Sequence, residues 1–113
     1  MITVEKIIQE LGLDVFVKGE TNTVITGCYI SDMLSDVMAK SKEGELWITL
    51  QTHTNIVAVA VIKSLSAIIL TNGRKPEEET AKRALKENIP ILIYKGSTFE
   101  IAGKLYMLLQ QKT

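Results

Sequence analysis

The 113-residue chain has one cysteine, Cys28, and one histidine, His53, and each scarcity excludes a class of chemistry. A lone cysteine closes no internal disulfide, so the chain is expected to fold without covalent staples and to suit a reducing cytoplasm. One cysteine and one histidine cannot build a spaced His/Cys metal cage, and the expected complement of metals and cofactors is none. Only a carboxylate magnesium site would escape this reading. Aromatic residues make up 5%, and 13 Lys+Arg balance 13 Asp+Glu. Without a basic stripe interleaved with aromatics, neither nucleic acid nor an acidic membrane surface is an expected partner. No GxxxxGK[ST] string is present, which excludes a self-contained P-loop kinase, and no GxGxxG follows a strand. The longest apolar run, Ile56 to Ile62, has seven residues, where a membrane span needs about twenty. The start, Met1-Ile2-Thr3-Val4-Glu5-Lys6, lacks the pattern of a secretory signal, so the expected location is cytoplasmic.

The 46% apolar and 23% charged fractions are those of an ordinary globular chain, and the length suits one domain over residues 1–113. Val4, Ile7, Ile8 and Leu11 recur at helical spacing, with Thr3 as cap and Gly12 as terminator. Val15-Phe16-Val17 and Thr26 to Ile30 read as short strands around the turn residues Lys18 to Asn22. Whether these two pair antiparallel as an edge is open at this level. Ser31 is expected to cap a helix carrying Met33, Leu34, Val37 and Met38, stopped near Gly44. Leu46 to Leu50 and Ala67 to Thr71 are apolar enough for buried strands. The β-branched run Ile56–Ile62 alternates like a strand, yet it sits in a 16-residue interval between strands, the span of a parallel crossover helix. It is read as a helix buried on all sides. Pro76 to Asn88 is the next helix, with Pro76 at its first position and an inward stripe of Ala81, Ala84 and Leu85. Glu78–Lys82 and Glu79–Arg83 have the spacing of helical ion pairs. Ile91 to Tyr94 is a strand, and Ser97-Thr98-Phe99-Glu100 a capping box that opens a last helix with Ile101, Leu105, Leu108 and Leu109 inward. The predicted fold is α/β: a single compact domain, a mostly parallel sheet of about four or five short strands, and helices on both faces.

In such a sheet, ligands gather beyond the carboxyl ends of the strands, near a reversal of strand order. Four segments there join a strand to a helix: Ser31-Asp32, Gln51 to Asn55, Thr71 to Lys75, and Lys95 to Thr98. Their hydroxyls and helix-starting N–H groups, with Arg74, Lys75 and Lys95 nearby, suit a small anion such as a nucleotide or phosphorylated metabolite. The candidate ligand residues are His53, Thr54, Asn55, Thr71, Asn72, Gly73, Arg74, Lys95, Ser97 and Thr98. The plainer alternative is that Ser31, Thr54, Ser97 and Thr98 only cap helices, and that Arg74 and Lys75 are solvated turn residues. His53 invites a general-base reading because only histidine titrates unperturbed near neutrality. No nucleophile can be placed beside it, and a Cys28–His53–Asn55 triad is disfavoured by Cys28 lying within a strand.

The segments Leu34 to Ala39, Gly44 to Thr49, Asn55 to Ala60, Ile68 to Pro76, Ile89 to Leu92 and Ser97 to Tyr106 together resemble the DRTGG domain family. The resemblance implies a small α/β domain similar to the N-terminal domain of HPr serine kinase/phosphorylase. Such domains also occur beside CBS pairs or phosphotransacetylase, and as free-standing proteins in redox and hydrogenase contexts. It therefore implies a regulatory or assembly module rather than a catalytic one. The eponymous Asp-Arg-Thr-Gly-Gly string is absent, and its nearest equivalents are Gln51 to Asn55 and Thr71-Asn72-Gly73. Three functions follow as expectations. The leading one is a non-catalytic regulatory domain that binds a small anionic ligand or a signalling partner, as a homodimer that covers the Ile56–Ile62 segment. The others are an assembly protein for a redox enzyme, and a small acid/base enzyme using His53 with Asp32, Asp36 or Glu100.

Overall fold

Thr3 opens the first helix, α1 (Val4–Leu11), by accepting the Lys6 N–H on Oγ1 at 3.2 Å, and Gly12 closes it at φ +63°. The computed structural model describes residues 1–111. Along the chain follow β1 (Asp14–Val17), β2 (Gly27–Ile30), α2 (Leu34–Lys40), β3 (Glu45–Thr49) and α3 (Asn55–Ile62). After these come β4 (Ala67–Leu70), α4 (Glu78–Glu87), β5 (Ile91–Ile93) and α5 (Thr98–Gln110). The five strands form one sheet in the order β1-β5-β4-β3-β2. The pairs β2–β3, β3–β4 and β4–β5 are parallel, and β1 joins β5 antiparallel.

This order is monotonic from β2 to β5, and the consequence is a segregation of helices. Each crossover turns the same way, so α2, α3 and α4 share one face. There Val37, Ile56, Val57, Ala60 and Ala84 pack on Trp47, Ile68, Leu70 and Ile91 of the sheet. The opposite face is covered by α1 and α5, whose Val4, Ile7, Ile101 and Leu105 pack on Leu46, Ile48, Ile69 and Leu92. Alternate residues of the central strands thus serve two cores, which is why β3 and β4 read as continuous apolar runs. The expected α/β fold, with its mostly parallel sheet and helices on both faces, is the observed one.

Several local expectations are corrected. The pairing of the first two strands, open from the sequence, is decided by the sheet: they lie at opposite edges, because β1 pairs with β5 and β2 with β3. Strand order does not reverse within the parallel part. Ser31 does not cap α2: its Oγ accepts the Met33 N–H at 3.1 Å in the turn before, and Met33 occupies the cap position without a side-chain bond. The helix stops at Ser41, before Gly44. Pro76 is buried ahead of α4, because Glu77 is tied to the preceding loop and delays the helix to Glu78. Leu85 is 68% exposed and Thr80 takes the inward place, so the stripe is rotated from the expected one. The ion pairs on α4 are Lys82–Glu79 at 3.8 Å and Arg83–Glu87 at 3.5 Å rather than the two expected. The Ile56–Ile62 segment is a helix, as its interval predicts. Its buried residues pack within the chain, and only Val61 and Ile62 emerge. Covering this segment therefore requires no second copy.

Candidate functional site

Because β2 to β5 run parallel, the four strand-to-helix segments lie along one rim, as expected. What the rim offers a ligand depends on which of its N–H groups are already bonded.

Between β2 and β3 the rim is closed by Asp32. Its Oδ1 accepts the Thr49 hydroxyl and the Leu50 N–H, both at 2.8 Å, and the Gln51 side-chain amide donates to the Asp32 carbonyl at 3.0 Å. Thr49 is buried, so its hydroxyl depends on this carboxylate. Replacing Asp32 with alanine is expected to cost about 1–3 kcal/mol, the usual range when a buried donor loses its acceptor. Asp32→Asn keeps an acceptor oxygen and should recover most of the loss; urea denaturation of both variants checks this. Alongside, the Tyr29 hydroxyl donates to Asp36 Oδ2 at 2.8 Å and Lys40 lies 3.6 Å from Asp36. The Tyr29 hydrogen bond, seconded by Ser31 and Lys40, holds the Asp36 carboxyl below its ordinary range.

Between β3 and β4 the Thr52 carbonyl accepts the Glu77 N–H at 3.1 Å and the Thr80 hydroxyl at 2.7 Å, pinning the His53 loop to the start of α4. His53 Nδ1 accepts the Asn55 N–H at 3.3 Å, which places the proton of a neutral ring on Nε2. The Ile56 and Val57 N–H groups bond back to the His53 and Thr54 carbonyls. The start of α3 therefore has few N–H groups to offer an anion, and Thr54 makes no side-chain cap. Thr54 instead lines a hollow of about 300 Å³ with Glu79, Lys82, Arg83 and Lys86 of α4. Sequence reasoning missed this basic flank, whose only signal is the i, i+3/i+4 spacing of the three cations.

Between β4 and β5, Thr71-Asn72-Gly73-Arg74 is a tight turn with φ +58° and +67° at its centre, closed by the Arg74 N–H on the Thr71 carbonyl at 3.1 Å. The Asn72 N–H donates to the Gly96 carbonyl at 2.9 Å and the Gly73 N–H to the Tyr94 carbonyl at 3.0 Å. These bonds bring Thr71 to Gly73 against the Lys95–Thr98 segment, and the Thr71 and Thr98 hydroxyls meet at 2.7 Å. The expected capping box is present: Ser97 Oγ accepts the Glu100 N–H, and Glu100 Oε1 accepts the Ser97 N–H. The box leaves the Thr98 and Phe99 N–H groups, which have no acceptor inside their own helix. Arg74 and Lys95 are exposed and form no ion pair among the described residues. The candidate residues thus form two groups: Thr71, Asn72, Gly73, Ser97 and Thr98, tied together by hydrogen bonds with Arg74 and Lys95 in the same two segments, and His53, Thr54 and Asn55, whose loop is tied to α4 and to Glu77 before it.

Cys28 lies away from both groups, facing the α1/α5 core from β2. Burial, seconded by Glu45, pushes its thiol up to about 12, so no thiolate is present near neutrality. No group of three or more His, Cys, Asp or Glu side chains placed to hold a metal occurs among the described residues. No helix among them is long and apolar enough to cross a membrane.

A five-stranded, mostly parallel sheet with its strand-to-helix loops tied along one rim defines a small α/β domain. The chain belongs to the DRTGG domain family, whose sequence pattern it matches over residues 6–108. A similar fold occurs in the crystal structure of the CBS and DRTGG domains of the regulatory region of Clostridium perfringens pyrophosphatase, complexed with the activator diadenosine tetraphosphate. The two superpose with a TM-score of 0.67 at 20% identity, over 91% of this chain and 45% of that one. This chain therefore spans less than half the length of that solved region. No curated protein sequence matches it.

Proposed function

We propose that the chain is a non-catalytic regulatory or accessory domain, acting as a homodimer, that binds a small anionic ligand where α5 begins. The observation that carries the ligand clause is the start of α5, where the capping box leaves the Thr98 and Phe99 N–H groups with no acceptor inside the helix. They stand at the positive end of a 13-residue helix, in the segment that also carries Lys95 and that hydrogen bonds tie to the turn before Arg74. The ligand class is a nucleotide or phosphorylated metabolite. A nucleotide activator accompanies the related pyrophosphatase region, which supports a regulatory setting. The acid/base alternative lacks a converged set: Asp32, Asp36 and Glu100 are each hydrogen-bonded to partners other than His53.

Thermal denaturation with ATP, AMP, diadenosine tetraphosphate and inorganic phosphate tests the proposal. A native-selective ligand at 100 times its Kd adds about 2.7 kcal/mol, a shift of roughly 10 °C for this size. Arg74→Ala and Lys95→Ala should each weaken that ligand about tenfold while leaving the unliganded melting point unchanged. Affinity unchanged in both variants would remove the site from this rim, and no shift with any of the four compounds would count against the ligand clause.

The assembly-protein alternative, with a redox enzyme or signalling protein as partner, is favoured by one observation. The outer face of α5 exposes large apolar side chains.

A further inference from the structure

Phe99 is 87% exposed, Tyr106 66% and Met107 63%, all on α5. At ~200 Å² per side chain these three leave roughly 400 Å² of apolar surface on one helix, within the range of the largest apolar patch of a soluble domain, which is often a functional one. With Ile101 and Leu105 directed into the core, the helical repeat puts Gly103 at the centre of the outward face. Phe99 stands four residues before it and Met107 four after. Nothing inside the fold calls for glycine there. Its backbone is helical, no atom beyond the adjoining backbone of α5 lies within 4 Å of the place a Cβ would occupy, and a helix interior disfavours glycine. The missing side chain leaves bare helix backbone at the centre of the outward face, open to close approach from outside.

We propose that this face binds a second copy of the chain, the two α5 helices crossing antiparallel at Gly103. The proposal rests on the homodimer reading above and supplies its surface. An antiparallel two-fold through Gly103 sets Phe99 of one copy beside Met107 of the other, twice, so the face is complementary to itself. Glu100 and Lys104 lie on the same flank of α5. Within each copy Lys104 Nζ donates to the Tyr94 hydroxyl at 2.9 Å, and Glu100 closes the capping box. The two-fold sets Lys104 within about 3 Å, along the helix axis, of the level of the other copy's Glu100, so opposite charges rather than like ones face across the flank. Grooves on either side of α5 receive the ridge. One, of about 640 Å³, runs between Leu11 of α1 and Met107; the other, of about 420 Å³, lies between Ile30 of β2 and Tyr106. A stable interface buries about 800 Å² per partner with an apolar centre and a polar rim, and the apolar patch with its charged flank matches that division.

Sedimentation equilibrium of the full chain across the micromolar range tests this. The wild type should dimerise, and Phe99→Lys with Met107→Lys should weaken self-association at least ~100-fold. Leu85→Lys, the same charge change at an exposed site on α4, should leave it unaltered. In a Cys28→Ser background, Gly103→Cys should form covalent dimers on mild oxidation, because the crossing brings the two α-carbons within disulfide range. Circular dichroism confirms that each variant is folded. A wild-type monomer throughout would overturn both this surface and the homodimer, handing the face to a different protein partner. A dimer indifferent to Phe99→Lys and Met107→Lys, or equally weakened by Leu85→Lys, would keep the homodimer and overturn this surface. The ligand clause is decided separately by the thermal screen, through Arg74→Ala and Lys95→Ala, which leave Phe99 in place.

Discussion

Trp47→Ala is expected to destabilise the fold by about 3–5 kcal/mol, the cost of emptying a large, fully buried aromatic site. Trp47 has no exposed surface and sits on β3, the interior strand next to the β2 edge, under the three-helix face. Its ring packs in the cluster of Val37, Ile56, Val57 and Ile68, so the cavity would open beneath α2 and α3 together. Its indole N–H also donates to the Ser31 carbonyl at 2.9 Å, fastening the chain just after edge strand β2 to the neighbouring strand β3. Domains of this kind have a total stability of about 5–15 kcal/mol, so the variant could lose a large share of it. Trp47→Phe keeps most of the apolar volume and loses the hydrogen bond, and should cost about 1–2 kcal/mol. Urea unfolding followed by circular dichroism measures both, since the only tryptophan is the residue removed. Equal losses in the two variants would show that the hydrogen bond, not the packing, dominates.

Gly19→Ala should be nearly as damaging, at about 3 kcal/mol or more, while Gly12→Ala should cost about 1 kcal/mol. Both glycines have left-handed backbone, at φ +53° and +63°, so the conformational penalty is alike. The difference is space. A Cβ on Gly19 would sit 2.5 Å from the Pro90 nitrogen and 2.6 Å from the Ile89 carbonyl carbon, both backbone atoms that cannot rotate away. At Gly12 nothing lies within 4 Å. The Gly19 contact is where the loop after β1 crosses the segment leading into β5, held by the Glu20 N–H on the Asn88 carbonyl at 3.1 Å. The variant should therefore loosen the β1–β5 pairing first, which amide hydrogen exchange on β1 would register. Matching melting points for the two variants would refute the steric part of this argument.

The candidate site was legible in its placement and less so in its chemistry. That the four segments after β2, β3, β4 and β5 share a rim followed from element order, because parallel strands put their carboxyl ends on one side. Which N–H groups remain available there did not follow, since their acceptors come from distant segments. The Asn72 and Gly73 N–H groups are taken by carbonyls of the β5 loop, and the His53 loop is held by Thr80 of α4. Asp32 entered as a candidate catalytic acid and proves to be a tie across β2 and β3. Ser97 with Glu100 was readable because both halves of a capping box lie within four residues.

The sequence by itself determined what depends on neighbours along the chain: the two caps at Thr3 and Ser97, the left-handed stop at Gly12, the apolar central strands, and a helix over Ile56–Ile62. It also determined what composition settles, including that a lone cysteine closes no disulfide within the chain. The tertiary structure alone decided the strand order, the parting of β1 and β2 to opposite edges, and the rotation of α4 that hides Thr80 and exposes Leu85. It alone placed Phe99, Gly103 and Met107 on an uncovered face. The physical reason is range: capping and periodicity act within a few residues. Strand neighbours and buried faces are chosen by burying apolar area between segments far apart in sequence, and several arrangements satisfy the same local pattern.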